Sequence, residues 1–79
     1  MRVRVRLYGT LPKSYPGYDL SNGIDLEVPD GACIRDIKMM VNISTARKCM
    51  ITINGKLSSE DAKTGEGDEV KFFQLIAGG

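Results

Sequence analysis

The carboxyl-terminal residues carry the most distinctive chemistry in this sequence. The chain ends in Ile76-Ala77-Gly78-Gly79, directly after a hydrophobic stretch. Glycine has no Cβ, so two consecutive glycines form a slim backbone that can enter a channel too narrow for side chains. We expect the α-carboxylate of Gly79 to be the one chemically distinctive group at this end. A frayed chain end is the competing interpretation.

The other side chains offer little chemistry of their own. Cys33 and Cys49 are the two cysteines, and the chain has no histidine. This composition excludes the usual zinc clusters and four-cysteine iron–sulfur sites, and it removes the commonest general base. Two reduced thiols that act as small hydrophobes fit a cytosolic chain better than a disulfide does. We therefore predict no catalytic residue, no metal site and no bound cofactor.

Composition limits the class of protein. At 79 residues the chain makes one small domain, 1–79, and its content of 42% apolar and 27% charged residues is that of a folded protein. A net charge of +1 argues against nucleic acid and against an anionic membrane surface as partners. No apolar run approaches the ~18 residues of a membrane helix, and the start of the chain alternates where a signal peptide would be continuously apolar. We expect a cytoplasmic protein.

The first strand is predicted from strict alternation over residues 2–8. Its valines and leucine face inward, and Arg2, Arg4 and Arg6 lie on the other face. The arginines are either a basic stripe that docks an acidic partner or a solvated strand face that discourages aggregation. If the first and last strands are adjacent, Phe73 and Leu75 share the face of these arginines. Together they then form a candidate docking patch, or Phe73 merely covers the sheet edge.

The remaining elements follow from turn signals and periodicity. A long loop rich in proline and glycine is predicted over 9–23, and its tyrosines either pin the loop to the domain or contact a partner. The Asn54-Gly55 pair predicts a hairpin turn. The predicted elements are strands over 24–28, 49–53, around 56–57 and 69–75, and a helix over about 34–42. This order predicts an α+β fold with a mixed sheet of four to five strands packed on one main helix.

The helix has an apolar stripe and a weak start. Ile34, Ile37 and Val41 recur at helical spacing with Met40 beside them, and Lys38 is predicted on the polar side. Cys33 is a poor N-cap, so the helix start loses about 1 kcal/mol unless Asp36 compensates.

Four short motifs, in this order and spacing, resemble those of the ThiS/MoaD-type small sulfur carriers, which belong to the ubiquitin-like β-grasp superfamily. They are Val28-Pro29-Asp30-Gly31-Ala32, Ile53-Asn54-Gly55, Gly67-Asp68-Glu69-Val70 and Gly78-Gly79. The segment Tyr8-Gly9-Thr10-Leu11 with its long following loop is more similar to the small subunit of molybdopterin synthase than to the thiamin carrier.

The resemblance implies a function for the tail. An E1-like adenylyltransferase would use ATP to adenylate Gly79, sulfur would be installed as a thiocarboxylate, and a synthase would accept it in molybdopterin or thiamin-type cofactor biosynthesis. That synthase would be of the molybdopterin synthase large subunit or thiazole synthase type. The residues implied in partner docking are Arg4, Arg6, Phe73, Leu75, Ile76 and Ala77, with Gly78 and Gly79 as the sulfur-carrying end.

One departure from the family lies in the tail, which we expect to be flexible over 75–79. Related carriers often have proline before the last few residues, whereas this chain has Gln74-Leu75. Proline would pre-set an extended backbone and lower the entropy lost when the tail enters a partner.

Two other functions fit the same residues. The tail could conjugate to lysines as a ubiquitin-like modifier, which begins with the same adenylate. The chain could also be a plain β-grasp interaction module in which the glycines are incidental.

Overall fold

The computed structural model describes residues 1–44 and 47–75. Within them one mixed sheet of five strands has the spatial order β2-β1-β5-β3-β4. Strands β1 and β5 are parallel, and the other neighbours are antiparallel. The strands are β1 Arg2–Leu7, β2 Ile24–Glu27, β3 Cys49–Ile53, β4 Lys56–Ser58 and β5 Glu69–Gln74, and the helix α1 is Ile34–Met40. This is the predicted α+β β-grasp arrangement, with strand ends that differ from the predictions by one residue.

The core lies between the inner face of the sheet and α1. Alternation along β1 and β5 places Val5 and Phe72 inward, and both side chains are fully buried. Ile34 and Ile37 of α1 are also fully buried and belong to the same apolar cluster. Burial of this apolar surface is the main stabilising contribution to so small a domain.

The orientation of α1 corrects the sequence prediction for two residues. Lys38 was expected on the polar side, yet its side chain is fully buried, and Met40 was expected beside the core, yet it is 41% exposed. The Lys38 ammonium donates to Glu60 Oε2 at 2.9 Å and to the backbone oxygen of Arg47. A buried ammonium is tolerated when its charge is paired and its protons are bonded. Periodicity alone cannot reveal a partner that lies elsewhere in the chain.

Asp36 compensates for the poor N-cap of α1. Its Oδ2 accepts the backbone N–H of Cys33 at 3.2 Å and the Cys33 thiol at 3.4 Å. This is the carboxylate half of a capping box, and it also places a negative charge in the first turn. The helix ends at Met40, earlier than predicted, because Asn42 adopts a left-handed conformation with φ of 64° that terminates it.

The loop between β1 and β2 is held to the domain by its tyrosines. Tyr15 and Tyr18 pack against the core, and the Tyr18 hydroxyl accepts the backbone N–H of Leu7 at 2.8 Å. A 3-10 helix, Leu11–Ser14, lies within this loop and was not predicted. Of the two roles open for these tyrosines, the structure shows that they pin the loop.

Two local features complete the fold. The predicted turn between β3 and β4 is present, with φ of 52° at Asn54 and 85° at Gly55, as a type I′ hairpin requires. Across residues 1–44 and 47–75, the helices are too short or too polar to span a membrane.

Candidate functional site

The outer face of the sheet carries an exposed apolar surface beside the end of β5. The rings of Tyr8 and Phe73 stack with centroids 4.7 Å apart and planes 8° apart. Met50 of β3 pairs with Phe73 from the other side and is 40% exposed. We call Tyr8, Met50 and Phe73 the outer apolar patch. Leu75, half exposed, follows Phe73 by two residues at the beginning of the tail.

The parallel pairing of β1 and β5 brings the two rings together. Leu7 pairs with Phe72, and the backbone N–H of Tyr8 donates to Phe72 oxygen at 3.1 Å. Tyr8 follows Leu7, and Phe73 follows Phe72. Because successive side chains point to opposite faces of a sheet, both rings lie on the outer face. Offset aromatic stacking favours this arrangement, and an exposed aromatic group of this kind is typical of a surface that binds a partner.

The predicted arginine stripe is paired with carboxylates. Arg4 lies 3.0 Å from Asp25, and Arg6 lies 3.0 Å from Glu69. Arg6 Nε donates a hydrogen bond to Glu69 Oε2, and this bond raises the pKa of the Arg6 guanidinium. Arg2 likewise contacts Glu27 at 3.3 Å. Each arginine of the first strand is therefore paired with a carboxylate on a neighbouring strand, and docking through Arg4 and Arg6 stays a prediction.

A polar contact joins the end of β5 to the residue after a glycine turn. Gln74 Oε1 accepts the backbone N–H of Thr10 at 2.8 Å and also the Thr10 hydroxyl. Gly9 between the strand and Thr10 has φ of 72°, and a Cβ there would lie 3.0 Å from Gln74 Oε1. The last residue of β5, directly before the tail, is thus bonded to the loop that follows β1.

Beyond Leu75, residues 76–79 of the tail lie outside the described residues. Of the predicted docking and sulfur-carrying positions, the structure brings together Arg4, Arg6, Phe73 and Leu75 on or beside the outer face. The others, Ile76, Ala77, Gly78 and Gly79, are not described.

The two cysteines do not form a reactive pair. Cys33 and Cys49 are both free thiols. Burial is the main cause that raises the pKa of the Cys49 thiol, which lowers its thiolate fraction at neutral pH. Across 1–44 and 47–75 there is no group of three potential ligands for a metal ion.

Sequence reasoning missed Tyr8, Met50 and Thr10 as site residues. Tyr8 follows directly from the alternation of the first strand, so its face could have been assigned. Met50 alternates with a buried isoleucine in β3, but its contact with Phe73 depends on a strand order that the local pattern does not reveal. Thr10 lies in a loop whose course no periodicity describes.

A mixed five-stranded sheet packed on one helix, with an apolar patch at the origin of a Gly-Gly tail, defines the class of small ubiquitin-like β-grasp proteins. The model of the ThiS family matches residues 17–79, and the chain belongs to that family. No curated protein matches the sequence.

Solved structures share the fold at low sequence identity. SAMP1 from Haloferax volcanii superposes with a TM-score of 0.72 at 15% identity, covering 100% of both chains. A protein described as molybdopterin converting factor subunit 1 from Pyrococcus furiosus also gives 0.72, at 20% identity, covering 95% of this chain and 98% of that one. A chain from the complex of molybdopterin-converting factor subunits 1 and 2 of Helicobacter pylori gives 0.59 at 18% identity, with full coverage of both.

Proposed function

We propose that this protein is a sulfur carrier that acts in the cytoplasm as the substrate of partner enzymes. An E1-like adenylyltransferase activates the carboxylate of Gly79 with ATP, the carboxylate becomes a thiocarboxylate, and a synthase accepts the sulfur in cofactor biosynthesis. The observation that carries the proposal is the match to the ThiS family, which extends through Gly78 and Gly79.

The chemistry assigns the chain the role of acyl donor. An oxygen of the Gly79 carboxylate attacks the α-phosphorus of ATP, and pyrophosphate leaves. A hydrosulfide-level nucleophile then attacks the carbonyl carbon, and AMP departs with the former carboxylate oxygen, so one oxygen of the protein is replaced by sulfur. These steps require catalytic groups that bind ATP and sulfur, and we assign those groups to the partner enzyme.

The outer apolar patch supports the docking part of the proposal. A partner that draws in the tail must also contact the surface from which the tail emerges, and Tyr8, Met50 and Phe73 lie beside that point. The Helicobacter pylori neighbour is a complex of two subunits of molybdopterin-converting factor. It supports a sulfur-accepting synthase of the molybdopterin type as the second partner of this chain.

Intact-mass spectrometry tests the proposal. The purified protein is incubated with ATP, a sulfur donor and the E1-like enzyme of the same cell. We expect a mass increase equal to the replacement of one oxygen by sulfur, located on Gly79. A variant lacking Gly79 and a variant extended by one residue serve as matched controls, and neither should change mass.

Other outcomes point to the alternatives. An amide bond between Gly79 and lysines of other proteins would favour a ubiquitin-like modifier. Absence of both adenylate and thiocarboxylate, with an enzyme shown to be active, would overturn the proposal in favour of a plain interaction module.

A further inference from the structure

The end of β5 is fixed by a side-chain contact that the proposed function does not yet explain. Gln74 is the last residue of β5, and its Oε1 accepts two hydrogen bonds from Thr10. We propose that the Thr10–Gln74 pair positions the start of the tail for entry into the activating enzyme. The inference rests on the proposed function and names the residues that orient its substrate.

The contact lies where the backbone leaves the sheet. β5 is hydrogen-bonded to β1 on one side and to β3 on the other, and Gln74 pairs with Cys49 at its last position. On the β1 side the last backbone bond comes from Tyr8 to Phe72. Beyond it, the bonds from Thr10 to the Gln74 side chain continue the connection to the loop. They restrain the residue directly before Leu75.

The local backbone is arranged for this contact. Gly9 turns the chain with φ of 72°, a conformation that side chains rarely adopt, and an added Cβ would press on Gln74 at 3.0 to 3.1 Å. Glycine at this position lets Thr10 present both its N–H and its hydroxyl to one oxygen. The contact therefore depends on the residue types at positions 9, 10 and 74, because all three act on one acceptor atom, Gln74 Oε1.

The pair performs the task that proline performs in related tails. A proline before the last residues restricts the backbone covalently, whereas here a side-chain hydrogen bond restricts the residue at the root of the tail. A tail that starts in one direction loses less conformational entropy on binding than one that swings freely. The effect belongs to the binding of the tail and not to the chemical step, so it should change KM and leave kcat almost unaltered.

The acceptor geometry provides matched variants. Gln74→Met keeps the length of the side chain and removes the acceptor, whereas Gln74→Glu retains an oxygen that can accept both bonds from Thr10. Thr10→Val removes only the hydroxyl donor. Because Thr10 is exposed and Gln74 is only partly buried, none of these changes opens a cavity in the core.

Two measurements on the full-length protein test the proposal. Hydrogen exchange of the Thr10 amide reports the bond itself: we expect faster exchange in Gln74→Met and protection close to wild type in Gln74→Glu. Pyrophosphate release with the E1-like enzyme of the same cell and ATP reports function. There we expect KM to rise at least about fivefold in Gln74→Met, since loss of even one of the two ordinary hydrogen bonds implies a change of that size, with kcat within twofold and with rescue by Gln74→Glu.

The outcomes separate this inference from the proposed function. If the E1-like enzyme is shown to be active but releases no pyrophosphate in the presence of the wild-type protein, the proposed function fails. This inference then fails with it. If wild type is adenylated and Gln74→Met has an unchanged KM, only the positioning role is overturned. Equal loss in Gln74→Met and Gln74→Glu would also overturn it, because the glutamate retains the acceptor.

Discussion

The stacked rings of Tyr8 and Phe73, 4.7 Å apart at their centroids, bridge the two parallel central strands on the outer face of the sheet. The pair shields the outer face of the sheet, and Tyr8 is itself 38% exposed to solvent. The stack gives the domain a flat aromatic surface directly beside the point where the tail begins.

Loss of Phe73 should impair binding to the partner enzymes. We expect Phe73→Ser to raise KM for adenylation roughly tenfold, because aromatic residues at the centre of a contact surface carry much of its binding energy. Leu57→Ser is the matched control, since Leu57 pairs with Thr52 on the same face, is 74% exposed and lies on the edge strand β4. Pyrophosphate release measures both variants. A comparable loss in the two would contradict a docking role for the outer apolar patch.

The buried Lys38–Glu60 pair should respond unequally to removal of its partners. Glu60→Ala leaves a fully buried ammonium without its carboxylate, and we expect a loss of roughly 3 kcal/mol in the free energy of unfolding. Lys38→Met should cost less, because the Glu60 side chain is 29% exposed and can turn to water.

Urea unfolding measures this difference. Arg2→Met is the control: Arg2 pairs with Glu27 at 3.3 Å, but both side chains are exposed, so we expect a change below about 1 kcal/mol. A larger loss in Lys38→Met than in Glu60→Ala would show that the backbone contact to Arg47 matters more than the charge pair.

Two threonines should respond differently to replacement by valine. Among the described residues the Thr52 hydroxyl is buried without a hydrogen-bond partner, so Thr52→Val should be neutral or stabilise the protein by up to about 1 kcal/mol. The Thr64 hydroxyl donates to Ala32 oxygen at 2.9 Å and is buried, so Thr64→Val should destabilise by about 1–2 kcal/mol. Thermal or urea unfolding of the two variants is the measurement, and equal effects would contradict the assignment.

Asp19 should titrate below the ordinary range of aspartate. Its carboxylate accepts hydrogen bonds from the Asn22 side chain and from the backbone N–H groups of Ser21 and Asn22. These bonds, of which the one from the Asn22 side chain has the largest effect, lower the pKa of Asp19 from 3.8. The folded pKa is depressed, so the stability it contributes is present above pH 3.8 and is lost as pH falls through the lower folded value.

An NMR titration of the side-chain carboxyl carbon checks this expectation. Asn22→Ala is the matched variant, since it removes the side-chain bond and should return the midpoint of Asp19 toward its ordinary value. A midpoint that does not move between the two proteins would show that Asn22 is not the cause.

Local patterns predicted most of the fold because its elements depend on short-range signals. The alternation of β1, the Asn54-Gly55 turn and the final strand were all confirmed, since side-chain period and turn conformation are properties of a few consecutive residues. The order of elements then predicted the β-grasp arrangement.

The contacts that were missed join residues far apart in the chain. Lys38 contacts Glu60, which lies 22 residues later and beyond both β3 and β4, and Thr10 contacts Gln74, which lies 64 residues later. No periodicity describes such pairs, because each depends on which strands become neighbours. Met50 was not predicted as part of the outer apolar patch for the same reason, because its pairing with Phe73 depends on the strand order.

The position of β5 in the middle of the sheet also has a mechanical consequence. A force applied along the tail acts on a strand bonded to β1 on one side and β3 on the other. Because the interstrand bonds lie across the strand, such a pull loads them together in shear and does not open them one after another. We expect the domain to resist a pull along β5 far better than peeling from the edge strand β4, which single-molecule force measurements can compare.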